Sequence, residues 1–153
     1  MLPICGWITG SALTLFNNSA HGAPIRCFAM PHRTRVLVVD DNQKMVAALL
    51  ALLENHGYNT KGLYSARTIV SDVRDFDPDV VIMDIAMPDK SGWDAAHEVR
   101  QHKPGKRPML IAITGEYPTD GDRRRAVMSG YDHFFIKPFD TKVLLQAIAS
   151  YTM

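Results

Sequence analysis

The strongest constraint on the fold is a recurring run of apolar residues, each ending in a polar one. Val36-Leu37-Val38-Val39 is followed by Asp40-Asp41, and Val80-Val81-Ile82-Met83 by Asp84. Met109-Leu110-Ile111-Ala112-Ile113 runs into Thr114, and Phe134-Phe135-Ile136 into Lys137. Short continuous apolar runs rich in β-branched residues are typical of strands buried on both faces of a parallel sheet. Tyr58 to Leu63 reads as a further strand, second in chain order, with a more polar pattern.

Between these runs the periodicity becomes helical. Asn42 can cap a helix in which Val46, Leu49, Leu50 and Leu53 fall at i, i+3, i+4 and i+7. His56-Gly57 ends it, because glycine readily takes the left-handed conformation found just past helix ends. Further helices are predicted from Ser65 to about Arg74, from Ser91 to about His102, and from about Thr119 to Ser129, where Gly130 stops the last. A final one begins near Asp140, with Leu144, Ala147, Ile148 and Tyr151 on one face. Asp77-Pro78 and Lys103-Pro104-Gly105 read as breaks. Five strands alternating with five helices predict an α/β fold with a parallel sheet covered on both sides. Right-handed crossovers make it a flavodoxin-like doubly wound sheet, with strand order 2-1-3-4-5.

Ligands bind such sheets outside the carboxyl ends of the strands, which is where the polar residues fall. One aspartate there would be an ordinary cap or turn residue. A lone threonine would bond the backbone, and a lone lysine would be surface. Asp40, Asp41 and Asp84 converging beside Thr114 and Lys137 make a different proposition. Crowded carboxylates favour protonation unless a cation holds them, and hard oxygen donors suit Mg2+ (or Mn2+). A central aspartate can attack phosphorus to give an acyl phosphate. The metal and the lysine would neutralise charge on the transferring group.

Four motifs now stand in order: Val36 to Asn42, Val80 to Asp84 with Met87-Pro88, Ala112-Ile113-Thr114-Gly115, and Ile136-Lys137-Pro138-Phe139. Together they resemble the response-regulator receiver family of two-component signalling, the CheY-like superfamily, over about residues 34 to 151. The resemblance implies that Asp84 is the phosphoacceptor, taking its phosphoryl group from a histidine kinase or a histidine phosphotransfer protein. It implies that Asp41 binds the metal directly, Asp40 mainly through water, and Ala86 through its backbone carbonyl. Thr114 and Lys137 would contact the phosphoryl group, and the Lys137–Pro138 bond would be cis. Thr114 and Phe134, three residues before the lysine, would form the switch. Phe134 lacks the hydroxyl of the tyrosine common there, so inward packing is open to it and a phenol hydrogen bond to a partner is not. Ala86 and Glu116 occupy variable positions that influence acyl-phosphate lifetime, and the output surface would be the fourth helix, fifth strand and fifth helix.

The rest of the chain bounds this reading. Residues 1–33 form an extension, expected to be disordered or to reflect too early a start, with Met30 as a plausible initiator. Its apolar run from Ile4 to Phe16 is short and interrupted, so no membrane span is expected. Cys5 and Cys27 both lie in it and read as free thiols. Residues 34–153 are expected to be one cytoplasmic receiver domain. Formal charge +1, from 17 basic and 16 acidic residues, gives no general attraction to nucleic acid or membrane. Arg123-Arg124-Arg125 reads as a solvated helix face, Trp93 as packing, and His56, His97, His102 and His133 as surface residues. Only about a dozen residues follow the Lys-Pro-Phe-Asp motif, so a stand-alone module that acts on a downstream protein is expected, without a DNA-binding helix-turn-helix. It is not expected to be an enzyme, beyond self-phosphorylation and slow autodephosphorylation. A haloacid-dehalogenase-type phosphatase needs Asp-x-Asp where this chain has Asp40-Asp41-Asn42. A dinucleotide enzyme needs a glycine-rich turn there. The alternatives are a receiver fragment of a hybrid histidine kinase, or an unphosphorylated pseudo-receiver.

Overall fold

The computed structural model describes residues 33–102, 107–115 and 119–152. The readings of residues 1–32, of Lys103-Pro104-Gly105 and of Glu116 lie outside them. The described elements alternate: β1 Arg35–Val39, α1 Gln43–Asn55, β2 Asn59–Leu63, α2 Ile69–Phe76, β3 Val80–Asp84, α3 Gly92–His102, β4 Met109–Thr114, α4 Asp120–Ser129, β5 His133–Ile136 and α5 Thr141–Thr152. The strands form one parallel sheet in the order β2-β1-β3-β4-β5, the flavodoxin-like arrangement.

Alternation of side chains along each strand divides the core in two. Leu37, Val39, Val81, Met83, Leu110 and Ala112 pack on the side of α2, α3 and α4, against residues such as Ile69, Trp93 and Ala126. Val36, Val38, Val80, Ile82, Ile111 and Ile113 face α1 and α5, against Leu49, Leu53, Leu144 and Ile148. Burying both faces is what makes the runs in β1, β3 and β4 continuous. Among the described residues, no helix is long and apolar enough to cross a membrane.

The caps follow the local chemistry. The Asn42 side chain accepts from the backbone N–H groups of Lys44 and Met45 at 3.1 and 3.3 Å. Thr119 and Asp122 form a capping box on α4, and Gly130 ends that helix at φ 92°. Three boundaries differ from expectation. Helix α2 starts at Ile69 rather than Ser65, because the Ser65 hydroxyl accepts from Arg67 N and closes a turn ahead of the helix. It also runs past Arg74 to Phe76, ending at left-handed Asp77. Tyr58 belongs to the exit of α1, donating its N–H to Leu53 O, so β2 begins at Asn59. Tyr151 does not join the buried face of α5; it is half exposed and its hydroxyl donates to Arg107 O.

Arg100 ties α3 to the end of α4 and to the segments that lead into β4 and β5. Its guanidinium donates to Gly130 O at 2.9 and 2.6 Å, to Pro108 O at 2.7 Å and to the Asp132 carboxylate at 2.7 Å. The same Asp132 carboxylate accepts from Leu110 N. Arg100→Ala leaves these acceptors partly unpaired and is expected to cost about 2 kcal/mol. A denaturation midpoint unchanged by the substitution would show that water replaces the guanidinium without loss.

Candidate functional site

Sheet register assembles the site. Val39 pairs with Met83, so Asp40 and Asp84 follow side by side at the carboxyl ends of β1 and β3. Asp84 pairs with Ile113, which puts Thr114 one step further along β4. Thr114 pairs with Ile136, and Lys137 comes next. The five polar residues singled out in the sequence therefore share one edge of the sheet. Asp40, Asp84 and Thr114 are buried, at 3%, 5% and 6% exposure, whereas Asp41 is exposed.

Lys137 reaches across this edge. Its Nζ donates to Asp40 at 2.8 Å and to Asp84 at 3.1 Å. The other Asp40 oxygen accepts from Asn42 N at 2.8 Å, which fixes that carboxylate from two sides. The backbone holds the rim: Asp40 N donates to Leu63 O, Ile85 N to Ile113 O, and Lys137 N to Thr114 O. The Lys137–Pro138 bond is cis.

The electrostatics are unbalanced. Burial pushes the Asp84 carboxyl above the ordinary carboxylate range. Lys137 pulls it down, but Asp40 and Asp41 push it up again. Burial alone would depress Lys137, yet its hydrogen bond to Asp40 and the charge of Asp84 outweigh that and hold it above the ordinary lysine value. Both directions have one origin. A single ammonium serves two buried carboxylates, so the lysine gains from both while Asp84 remains short of positive charge. Lys137→Met is expected to destabilise the metal-free protein at neutral pH by about 2 kcal/mol, because two buried carboxylates lose their cation. Thermal unfolding in a chelator checks this, and an unchanged midpoint would mean that the pair contributes nothing net.

Asp40, Asp41 and Asp84 each offer an oxygen within 4.8 Å of the others. Three hard donors so close, one held above its usual pKa by burial and by its two carboxylate neighbours, suit a small divalent cation. Ala86, two residues after Asp84, is exposed.

The family model of the response regulator receiver domain matches residues 36–149. The chain belongs to this receiver family. Protein PilH of Pseudomonas aeruginosa is 32% identical over 118 residues, covering 74% of this chain and 93% of PilH. The CAI-1 autoinducer sensor kinase/phosphatase CqsS of Vibrio cholerae is 32% identical over 124 residues. There the match covers 78% of this chain and only 18% of the kinase. Among solved structures, the receiver domain of Saccharomyces cerevisiae Ssk1, crystallised with the histidine phosphotransfer protein Ypd1, superposes with TM-score 0.71 at 22% identity. That match covers 78% of this chain and 88% of the other.

The structure adds residues to the receiver's site that the sequence reading passed over. Gly92, first in α3, lies against the Asp84 backbone: a Cβ there would meet Asp84 O at 2.5 Å and Ile85 Cα at 2.8 Å. Tyr131 donates its hydroxyl to Gly92 O at 2.7 Å. Burial, then the charge of Asp84, keeps that phenol protonated well above its ordinary range. A glycine at the first position of a helix next to Asp84 was the available signal for the close approach. Phe134 is partly buried and stacks on Trp93. Trp93 is 8% exposed, as a packing residue should be, and the four histidines named above are exposed.

Proposed function

We propose that this receiver accepts a phosphoryl group on Asp84 from a phosphohistidine donor, with Mg2+ (or Mn2+) in the pocket. The observation that carries the reading is the shared Lys137 ammonium between buried Asp40 and Asp84. A buried carboxylate short of positive charge suits a pocket that completes itself with a cation and an incoming phosphoryl group. In the transfer, an Asp84 oxygen forms a bond to phosphorus while the phosphorus–nitrogen bond breaks. The imidazole leaves with the bonding electrons and takes up a proton. Asp40, Asp41, Asp84 and the backbone carbonyl of Ala86 are the donors that would hold the metal, which when bound supplies charge neutralisation at the phosphoryl oxygens. Lys137, kept protonated by its carboxylate neighbours, offers the same service from the protein. The Thr114 hydroxyl serves as a phosphate donor group.

The donor is a histidine kinase or histidine phosphotransfer protein; the complex of the Ssk1 receiver with Ypd1 is the precedent. Output passes through Thr114 and Phe134 to the face of α4, β5 and α5, which engages a protein rather than nucleic acid, in the cytoplasm. Autodephosphorylation is slow, and the chain is a signalling module rather than a turnover enzyme. The match to a small part of CqsS favours one second reading, a receiver that works within a hybrid kinase. An unphosphorylated pseudo-receiver fits poorly with an intact set of three aspartates and a lysine.

Incubation of the full chain with Mg2+ and acetyl phosphate tests the reading. Incorporation of hydroxylamine-labile phosphate that requires Asp84 is expected, and its absence would overturn the proposal. Labelled transfer from a phosphorylated histidine phosphotransfer domain tests the donor class.

A further inference from the structure

The aromatic residues on the α3–α4 side of the sheet do more than fill space. Trp93 stacks on Phe134 with ring centroids 6.4 Å apart and planes 16° from parallel. Tyr131 meets it edge-on at 5.9 Å and 80°. The guanidinium carbon of Arg125 lies 5.4 Å from the Trp93 centroid. These partners come from β5, from the connection after α4, and from α4 itself. On its other side Trp93 follows Gly92, which abuts the Asp84 carbonyl and accepts the Tyr131 hydroxyl.

We infer that Trp93 is a positioning residue that couples the carboxyl end of β3 to α4 and to the Phe134 ring. Contacts run unbroken from the Asp84 backbone through Gly92 and Tyr131 to Trp93, and from there to Phe134 and Arg125. The last contact reaches an exposed arginine in the body of α4, whose C-terminal end is held separately by Arg100 at Gly130 O. Val127 and Met128 of α4 are 74% and 84% exposed, whereas Ala126 is buried. The cation over the indole is therefore a directional hold on α4, and the stack on Phe134 sets that ring inward. Displacement of the Asp84–Gly92 contact moves Trp93, and Trp93 moves both partners. The coupling rests on the reading of Asp84 as phosphoacceptor, because phosphorylation is the event that would displace the contact.

The test uses the full chain carrying Trp7→Phe, which leaves Trp93 as its one tryptophan. Phosphate incorporation, Trp93 emission and amide exchange across α4 are followed together with Mg2+ and acetyl phosphate. Phosphorylation is expected to shift Trp93 emission and to change α4 exchange by about fivefold or more. Trp93→Leu should incorporate phosphate within about twofold of the parent yet lose the exchange change, and Trp93→Phe should recover part of it. Arg125→Ala should raise α4 exchange about two- to fivefold before phosphorylation, leaving α1 unaffected. An α4 response in Trp93→Leu equal to the parent's overturns the coupling, as does a parent that incorporates phosphate with no change at Trp93. A parent that incorporates none overturns the phosphoacceptor reading instead. Mg2+ titration of Trp93 emission then decides the coupling, and a flat titration overturns it.

Discussion

Asp84→Asn is expected to incorporate no phosphate from acetyl phosphate, and to unfold at a higher temperature than the parent when divalent cations are absent. Loss of incorporation follows from removing the nucleophilic oxygen; an amide does not form the acyl phosphate. The gain in stability follows from the pocket's charge. Asp84 is buried, its pKa is raised, and the lysine that serves it serves Asp40 too. A carboxyl whose pKa is raised by folding favours the native state fully below the ordinary carboxylate value, near 4. That advantage is lost as pH rises through the folded-state pKa. At neutral pH the parent therefore carries a penalty that asparagine lacks, on the order of 1 kcal/mol, or about 4 °C in a domain of this size. The stability of the parent should fall as pH rises out of the ordinary carboxylate range, while that of Asp84→Asn stays flatter. Added Mg2+ should raise the parent's midpoint and narrow the gap, since a ligand of the native state stabilises it. Undiminished incorporation in Asp84→Asn would sink the functional reading. A variant less stable than the parent in chelator would sink the electrostatic one.

The second large effect is expected at Gly92→Ala. Alanine is the better helix former by about 1 kcal/mol, so helix propensity alone favours the substitution. Packing reverses the sign. The new Cβ would sit 2.5 Å from Asp84 O and 2.8 Å from Ile85 Cα, both backbone atoms that no rotamer change relieves. Either α3 or the end of β3 must shift, which is expected to cost about 3 kcal/mol net. Because the strain falls on Asp84, the surviving folded fraction should also show weaker Mg2+ binding. Chemical denaturation with a Mg2+ titration separates the two effects. A variant as stable as the parent would mean that the approach of α3 to β3 is looser than the distances state.

How much of this was legible depended on how local the determining interactions are. β1, β3 and β4 were legible because burial on both faces writes itself as a continuous apolar run. The site residues were legible because parallel register places each run's polar terminus at the same edge. Edge strand β2 was harder: Asn59-Thr60-Lys61-Gly62-Leu63 carries little pattern, and its register is set by pairing with β1. The start of α2 was misplaced because Ser65 has the chemistry of a helix cap and uses it on a turn. Gly92, Tyr131 and Arg100 escaped notice because their partners lie far along the chain; Tyr131 bonds Gly92 from 39 residues away. Phe134 was open to inward packing, but the Trp93 surface that receives it belongs to a helix 41 positions earlier, by the difference of the two residue numbers.

The lysine bridge has a consequence for the timing of synthesis. Asp40 and Lys137 are 97 residues apart, one just past β1 and the other just past β5. A chain emerging amino end first displays its aspartates long before the ammonium that tempers them. Ribosome-bound intermediates that lack β5 should therefore be poor phosphate acceptors, so that signalling competence arrives only with a finished sheet.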